Sequence, residues 1–180
     1  GSEMCIRDRV KKENENWIVK TNSGTVFSTP NVIIAGGVGS FEPRKFSVKD
    51  CEKFENKSVF YSIKDKKILE GKTISIFGGG DSALDWAVEL SKNSKVNLIH
   101  RRDNFRGAQA TVDKIQKLAK EGKINLFTKF QMTAIKGDNK LEIIDIKSDV
   151  EEIKTLKTDY VLCFFGLIMQ LGPIANWGLN

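Results

Sequence analysis

Cysteine and histidine are scarce in this sequence, whose 180 residues include three cysteines and one histidine. Cys5, Cys51 and Cys163 are odd in number and far apart, unlike a disulfide framework or a closely spaced pair of zinc ligands. The single histidine, His100, leaves little room for a zinc site or a serine-type catalytic triad. We therefore expect free thiols, no metal site and no triad chemistry.

Long apolar runs are also missing. No stretch approaches the roughly 20 apolar residues that a membrane-spanning helix requires. The first residues are polar and charged, unlike a secretory signal. The sequence therefore predicts a cytoplasmic protein that does not bind a membrane.

Positive charge is in moderate excess, with a net charge of +6 and a pI of about 9.2. This balance suits an acidic partner. The lysines, however, usually stand beside aspartate or glutamate, and aromatic residues do not alternate with them as on a base-stacking surface. We therefore do not expect nucleic-acid binding.

The first nine residues look foreign to the protein. Gly1-Ser2 is typical of a residual tag, and residues 4–9 resemble a translated sequencing adaptor. We expect native sequence to start near Val10 and the true N-terminus of the parent protein to be missing.

Residues 10–56 have strand and turn patterns. Short β-branched or aromatic runs at 17–20 and 25–28 surround Asn-Ser-Gly, which predicts a hairpin. A continuous apolar run at 31–35 predicts a buried strand, and it ends at Gly36 and Gly37, where backbone could approach a ligand closely. The polar stretch from 47 to 56 is typical of a domain boundary.

After Lys72 the pattern alternates between strand and helix. Parallel strands joined by amphipathic helices form right-handed βαβ units, and shorter alternating runs then predict an antiparallel meander. The predicted strands are 73–77, 96–99 and 124–127, the helices 82–92 and 110–121, the meander strands 131–136, 141–146 and 153–156, and a last buried strand 160–165.

A glycine-rich turn follows the first of these strands and opens the first helix. Gly78-Gly79-Gly80-Asp81-Ser82-Ala83 fits the dinucleotide pattern G-x-G-x-x-A. Gly78 would permit the tight turn, Gly80 would leave space for a pyrophosphate, and Ala83 would let the helix pack on the sheet. The amides at the helix N-terminus would then face the negative pyrophosphate.

The second strand of the βαβ unit ends in basic residues, His100-Arg101-Arg102, and Arg106 follows. An NAD site usually offers a carboxylate here to the ribose 2′-hydroxyl. Guanidinium groups instead bind phosphate through paired hydrogen bonds, so this sequence predicts NADP rather than NAD. We expect His100 to pack beside the adenosine ribose or to help hold its phosphate, rather than to act as an acid or base.

Four separated motifs together resemble the thioredoxin-reductase-like ferredoxin–NADP reductases. The motifs are GGGDSALDW at 78–86, HRRDNFR at 100–106, IAGG at 34–37 with FEPR at 41–44, and FGL at 165–167 with LGPI at 171–174.

The resemblance implies a Rossmann-like, three-layer α/β NADPH domain, with a parallel sheet and an antiparallel meander, inserted into an incomplete FAD domain. In such enzymes NADPH reduces FAD, which passes electrons to ferredoxin or flavodoxin, and the full-length proteins are commonly homodimers. The expected division is a foreign segment 1–9, FAD-domain residues 10–46, an NADPH domain 47–165 and a return into the FAD domain at 166–180.

The resemblance also assigns roles to residues. Arg101, Arg102 and Arg106 would hold the 2′-phosphate, and no catalytic side chain is assigned. Neither the family's FAD loop near the N-terminus nor its closing C-terminal segment is found, so we expect the middle of a longer enzyme that binds NADP(H) weakly and holds no FAD. The residues implied to hold the pyrophosphate are Gly78, Gly80, Asp81, Ser82 and Ala83.

Two alternatives remain open. Thioredoxin reductases carry a redox-active C-x-x-C ahead of the glycine turn, where this sequence has Tyr61-Ser62-Ile63-Lys64. Transfer from flavin to a carrier is therefore favoured over disulfide reduction. The alternatives are a relative of thioredoxin reductase that uses an external thiol partner and a non-catalytic NADP-binding module.

Overall fold

The computed structural model describes residues 9–21, 23–35 and 40–170. The chain divides into two compact units. The first comprises Gly1–Glu42 and Leu167–Asn180, and the second comprises Pro43–Gly166. The ends of the second unit lie close to those of the segment 47–165 that the sequence indicated as one domain.

The first unit contains an antiparallel sheet of three strands, β1 (Arg9–Glu13), β2 (Asn16–Lys20) and β3 (Val26–Thr29). The pairing of β2 with β3 confirms the predicted hairpin. Strand β1 was not predicted, because its sequence is mostly charged and it pairs only along the other edge of β2. A second, two-stranded sheet joins β4 (Ser40–Pro43) to β13 (Leu167–Gln170).

The predicted buried strand at 31–35 is wrong. These residues are assigned to no strand, and the side chain of Ile33 is 92% exposed. An apolar run becomes a buried strand only where neighbouring strands satisfy its backbone and other layers cover it. No strand in the described ranges pairs with 31–35. Gly36 and Gly37, which follow this run, lie outside the described residues.

The second unit is built on a parallel sheet of five strands in the order β5-β12-β6-β7-β8. An antiparallel sheet of three strands, in the order β11-β10-β9, confirms the predicted meander. The strands are β5 (Val59–Phe60), β6 (Thr73–Gly78), β7 (Lys95–His100), β8 (Ile124–Thr128), β9 (Phe130–Lys136), β10 (Ile143–Ser148), β11 (Ile153–Lys157) and β12 (Tyr160–Phe164).

Two α-helices belong to this unit, α1 (Asp81–Leu90) and α2 (Gln109–Lys120), together with 3-10 turns at Cys51–Phe54 and Lys66–Leu69. The predicted alternation of strands and helices after Lys72 is thereby confirmed. Among the described residues, neither helix has the length and apolar character needed to cross a membrane.

The segment 47–56, predicted to mark a domain boundary, lies within the second unit, which begins at Pro43. Cys51 and Phe54 are buried in the second unit's core, so this segment packs as part of the unit. The mostly polar composition of the segment gave no sign that a 3-10 turn directs the side chains of Cys51 and Phe54 inward.

The parallel sheet is covered on both faces, which gives the predicted three layers. Strand residues alternate between the faces, so that Ile76 lies in the cluster with the helices and Phe77 in the cluster with the meander. Leu84 of α1 and Ile115 of α2 are fully buried on the first side, and Ile144 of β10 is fully buried on the second. Burial of both faces explains the nearly continuous apolar sequence of these strands.

A row of hydrogen-bonded polar side chains crosses the parallel sheet; Ser75, Asn97 and Thr158 are buried and Asn125 is exposed. The side-chain amide of Asn125 donates to Asn97 Oδ1 at 2.9 Å, and the amide of Asn97 donates to Ser75 Oγ at 3.1 Å. Ser75 Oγ and Thr158 Oγ1 are 2.6 Å apart. Because a shift of one residue in β6 or β7 would leave buried polar groups of this row unpaired, the row favours the observed alignment of β6, β7 and β8.

Candidate functional site

The candidate site begins where β6 meets α1, at the glycine turn formed by residues 78–80. Gly78 has a φ of +154°, and a Cβ atom there would lie 2.7 Å from the carbonyl oxygen of Phe164 and 2.8 Å from Ala83 Cβ. Glycine is therefore required for the close approach of β6, β12 and α1. Ala83 is fully buried, which agrees with its expected role in packing the helix on the sheet.

Gly80 faces open space at the start of α1. A Cβ atom there would meet nothing within 4 Å, and Gly80 precedes the helix in an extended conformation. The amides of Ala83 and Leu84 donate to the carbonyl of Gly80 at 3.0 and 3.2 Å. Since the first amides of a helix have no partner within it, those of Asp81 and Ser82 are available to an anion above the turn.

Gly79 is held against His100, a contact that the sequence did not predict. A Cβ atom on Gly79 would overlap the imidazole ring. The ring is buried, its Nε2 donates to the carbonyl of Asn104 at 3.1 Å, and it stacks on Phe105 with centroids 5.2 Å apart. The middle glycine of GGG is the only signal in the sequence that something packs closely there. In this structure His100 therefore acts as a support beneath the glycine turn.

The environment of His100 lowers its pKa below the ordinary value of 6.5. Burial of the ring is the largest cause, and the charges of Arg101, Arg102 and Arg106 act in the same direction. The hydrogen bond to Asn104 opposes the shift. The imidazole is therefore neutral at pH 7.

This lowered pKa has a measurable consequence, because His100 is the only histidine. Below pH 6.5 the unfolded chain binds a proton more readily than the folded chain, so His100 reduces stability as the pH falls from 6.5 towards its folded pKa. We expect the imidazole proton resonance to titrate with a midpoint below 6.5 in the folded chain and near 6.5 in urea. A folded midpoint at or above 6.5 would contradict the burial argument.

Residues 101–107, which we call the basic loop, connect β7 to α2. The side chains of Arg101, Arg102 and Arg106 are exposed, and no ion pair within the described part of the chain uses them. Asp103, the acidic residue of the loop, lies 2.9 Å from Lys129 Nζ, so its charge is balanced. The loop therefore presents three guanidinium groups to solvent that pair with no carboxylate in the described ranges.

The basic loop and the glycine turn are in direct contact. The backbone amide of Arg106 donates to the carbonyl of Gly79 at 2.7 Å. The backbone amide of Ala108 donates to Asp81 Oδ1, also at 2.7 Å. The two motifs that the sequence indicated separately are thus brought together at the carboxyl ends of β6 and β7, where open α/β sheets bind ligands.

Of the remaining predicted site residues, the structure describes Ser82 but not Gly36 and Gly37. Ser82 lies exposed in the first turn of α1, beside the glycine turn. Gly36 and Gly37 lie outside the described residues, so their predicted part in cofactor binding stays a prediction.

No three metal-ligating side chains come together within the ranges that the structure describes.

The two described cysteines are unsuited to disulfide exchange. Cys51 and Cys163 are buried free thiols, and burial raises the pKa of Cys51 to about 11 and that of Cys163 further. The attacking species in exchange is the thiolate, which such burial disfavours. Tyr61 begins the stretch 61–64, which corresponds in position to the C-x-x-C of thioredoxin reductases. Its hydroxyl donates to Glu55 Oε1 at 3.2 Å.

The three layers, the glycine turn at the end of β6 and the position of the site define a Rossmann-type dinucleotide-binding α/β domain. Comparison with known families agrees. The chain belongs to the pyridine nucleotide-disulphide oxidoreductase family, whose model matches residues 7–180.

Curated relatives confirm the resemblance seen in the motifs. A ferredoxin–NADP reductase of Pelagibacter ubique is 65% identical over 173 residues, which are 96% of this chain and 51% of the relative. A ferredoxin–NADP reductase of Christiangramia forsetii is 46% identical, covering 94% of this chain and 49% of the relative. The chain thus spans about half the length of the curated relatives it matches.

Two solved structures with similar folds are a thioredoxin reductase and a bacillithiol disulfide reductase. Thioredoxin reductase of Lactococcus lactis aligns with a TM-score of 0.76 and 24% identity, covering 95% of this chain and 55% of that one. Bacillithiol disulfide reductase of Staphylococcus aureus aligns with a TM-score of 0.78 and 21% identity, covering 95% and 51%. At these identities the likeness concerns the fold alone.

Proposed function

We propose that this chain supplies the NADP(H)-binding part of an FAD-dependent ferredoxin–NADP reductase. The whole protein would pass electrons between NADPH, FAD and ferredoxin or flavodoxin. Relatives named ferredoxin–NADP reductase support the class of reaction, and the chain spans about half of their length.

One observation carries the proposal. Three exposed arginines, which pair with no carboxylate of residues 9–21, 23–35 and 40–170, stand on a loop whose Arg106 amide is hydrogen-bonded to Gly79. NADP differs from NAD by a 2′-phosphate on the adenosine ribose, and guanidinium groups bind phosphate strongly. The basic loop would take this phosphate while the neighbouring glycine turn takes the pyrophosphate.

The residues of the glycine turn fit a pyrophosphate. Gly80 leaves open space, and the amides of Asp81 and Ser82 at the start of α1 have no helical partner. The positive end of the helix dipole adds to the attraction. The task of these residues is to bind and orient the nucleotide, and no side chain of the described residues is assigned a chemical step.

FAD belongs to the proposal for the whole protein. Gly36 and Gly37, which the sequence predicts to bind a cofactor, lie outside the described residues, so this role stays a prediction. In the whole protein, FAD would supply the chemistry that links two-electron oxidation of NADPH to one-electron reduction of a carrier.

Disulfide reduction is the second candidate because the similar solved structures are disulfide reductases. Residues 61–64 contain no cysteine. The buried thiols of Cys51 and Cys163 have raised pKa values. These observations favour transfer from flavin to a protein carrier. Buried free thiols also suit a reducing compartment, and we propose that the protein works in the cytoplasm. The expectation that the full-length protein forms a homodimer stays a prediction.

The test uses the full-length gene product, purified with its flavin. With NADPH as donor we expect reduction of ferredoxin or flavodoxin, and no reduction of thioredoxin coupled to a chromogenic disulfide. The carrier reaction should slow as salt rises, since opposite charges on the partners would steer the encounter. Thioredoxin reduction without carrier reduction would favour the disulfide reductase. A full-length product without flavin or turnover would favour a non-catalytic NADP-binding module.

A further inference from the structure

Asp81 occupies an unexpected position for a residue beside a phosphate site. It is the first residue of α1, next to the open space above Gly80. A carboxylate directed at a pyrophosphate would repel it, because both groups carry negative charge. Its Oδ1 instead accepts the backbone amide of Ala108 at 2.7 Å. The carboxylate is thereby directed towards the end of the basic loop.

This hydrogen bond anchors the far end of the basic loop. The loop leaves β7 at His100, and Ala108 is the last residue before α2. Because Asp81 is charged, its bond to the Ala108 amide is shorter and stronger than a neutral one. The bond joins the first turn of α1 to the residue that precedes α2.

Gly107 indicates how closely the loop is seated on α1. A Cβ atom on Gly107 would lie 2.6 Å from Leu84 Cδ1 and 3.1 Å from Asp81 Oδ1. Leu84 is fully buried, so its side chain has little freedom to withdraw. The backbone of the loop therefore rests directly on the first turn of the helix, at the residue that follows Arg106.

The loop has further ties besides the Asp81 contact: the buried His100 ring donates to the carbonyl of Asn104, and the Arg106 amide donates to the carbonyl of Gly79. Asp103 and Lys129 form an ion pair whose side chains are about half exposed, and such surface pairs contribute little. The contacts of Asp81 and Gly107 restrain the segment between Arg106 and α2, which lies beyond the ties at Asn104 and Arg106.

We propose that Asp81 is a positioning residue that sets the preference for NADP over NAD by anchoring the basic loop. This inference rests on the proposed nucleotide binding. The glycine turn meets the pyrophosphate, which both coenzymes carry, whereas the arginines meet the 2′-phosphate, which NADP alone carries. Release of the anchor therefore weakens NADPH binding selectively.

The test is calorimetric titration of the 180-residue chain with NADPH and with NADH. Asp81→Ala removes the acceptor, Asp81→Asn keeps an acceptor oxygen without the charge, and Asp85→Ala removes an exposed aspartate one turn further along α1. We expect Asp81→Ala to lower the preference for NADPH over NADH about tenfold. Asp81→Asn should restore most of the preference, and Asp85→Ala should leave it unchanged.

A purely structural role for Asp81 would weaken both coenzymes equally, and that outcome would overturn the inference. So would tighter binding of both coenzymes by Asp81→Ala with the preference unchanged, because the carboxylate would then act on the pyrophosphate. Loss of the preference in Asp81→Asn as complete as in Asp81→Ala would also overturn it.

Circular dichroism checks the fold of each variant. Gly107→Ala tests the same anchor in a second way, because the added Cβ displaces the loop from α1 without changing the charge. It should lower the preference in the same direction, and an unchanged preference in Gly107→Ala would count against the anchor. If the unaltered chain binds NADPH no better than NADH, the proposed function itself fails, an outcome distinct from those of the variants.

Discussion

Replacement of Arg101 and Arg102 by alanine is expected to weaken NADPH binding by about tenfold to a hundredfold for each arginine, with little change for NADH. A charge-assisted hydrogen bond to phosphate contributes roughly 1.5 to 3 kcal/mol, and only NADPH carries the phosphate in question. Both side chains are exposed, so their removal leaves no cavity. Titration of each variant with both coenzymes measures the effect.

A matched control separates specific contacts from the general field of a basic protein. Lys114→Ala with Lys117→Ala removes the same charge from exposed positions on α2. This control should shift the affinities for NADPH and NADH only slightly and together. Equal losses of NADPH and NADH binding in the arginine variant would contradict the assignment of the 2′-phosphate to the basic loop.

Gly78→Ala is expected to destabilise the chain by about 2 to 5 kcal/mol and to abolish nucleotide binding. Two costs combine, a strained backbone at a φ of +154° and overlap with the carbonyl of Phe164 and with Ala83 Cβ. The carbonyl belongs to β12, which is paired with β6, so it cannot withdraw without loss of sheet hydrogen bonds. Urea unfolding measures the change in free energy.

Gly71→Ala provides the comparison for the backbone alone. Gly71 also has a positive φ, +69°, but a Cβ atom there would meet nothing within 4 Å. It should cost only about 1 kcal/mol, as expected for an unfavourable backbone conformation without a clash. Equal destabilisation by the two substitutions would refute the claim that β6, β12 and α1 need glycine for close packing.

The elements after Lys72 were predictable because their sequence carries the periods of strand and helix. Strands buried on both faces are apolar throughout, and α2 has one apolar stripe ending at Gly122, whose φ is +70°. The glycine turn was also predictable, since its pattern depends on residues adjacent in sequence.

The errors arose where burial depends on distant partners. Residues 31–35 have the composition of a buried strand, yet no described strand pairs with them. Conversely, β1 is too polar and β5 too short to stand out in the sequence. The contacts of Gly79 with His100 and of Asp81 with Ala108 depend on how two loops meet, which local patterns do not specify.

The most direct test of the proposed nucleotide site is a crystal structure of this chain with NADP⁺. We expect the 2′-phosphate within hydrogen-bonding distance of the guanidinium groups of the basic loop, and the pyrophosphate against the amides of Asp81 and Ser82 above Gly80. A nucleotide bound elsewhere, or one whose 2′-phosphate points away from Arg101, Arg102 and Arg106, would contradict the proposal.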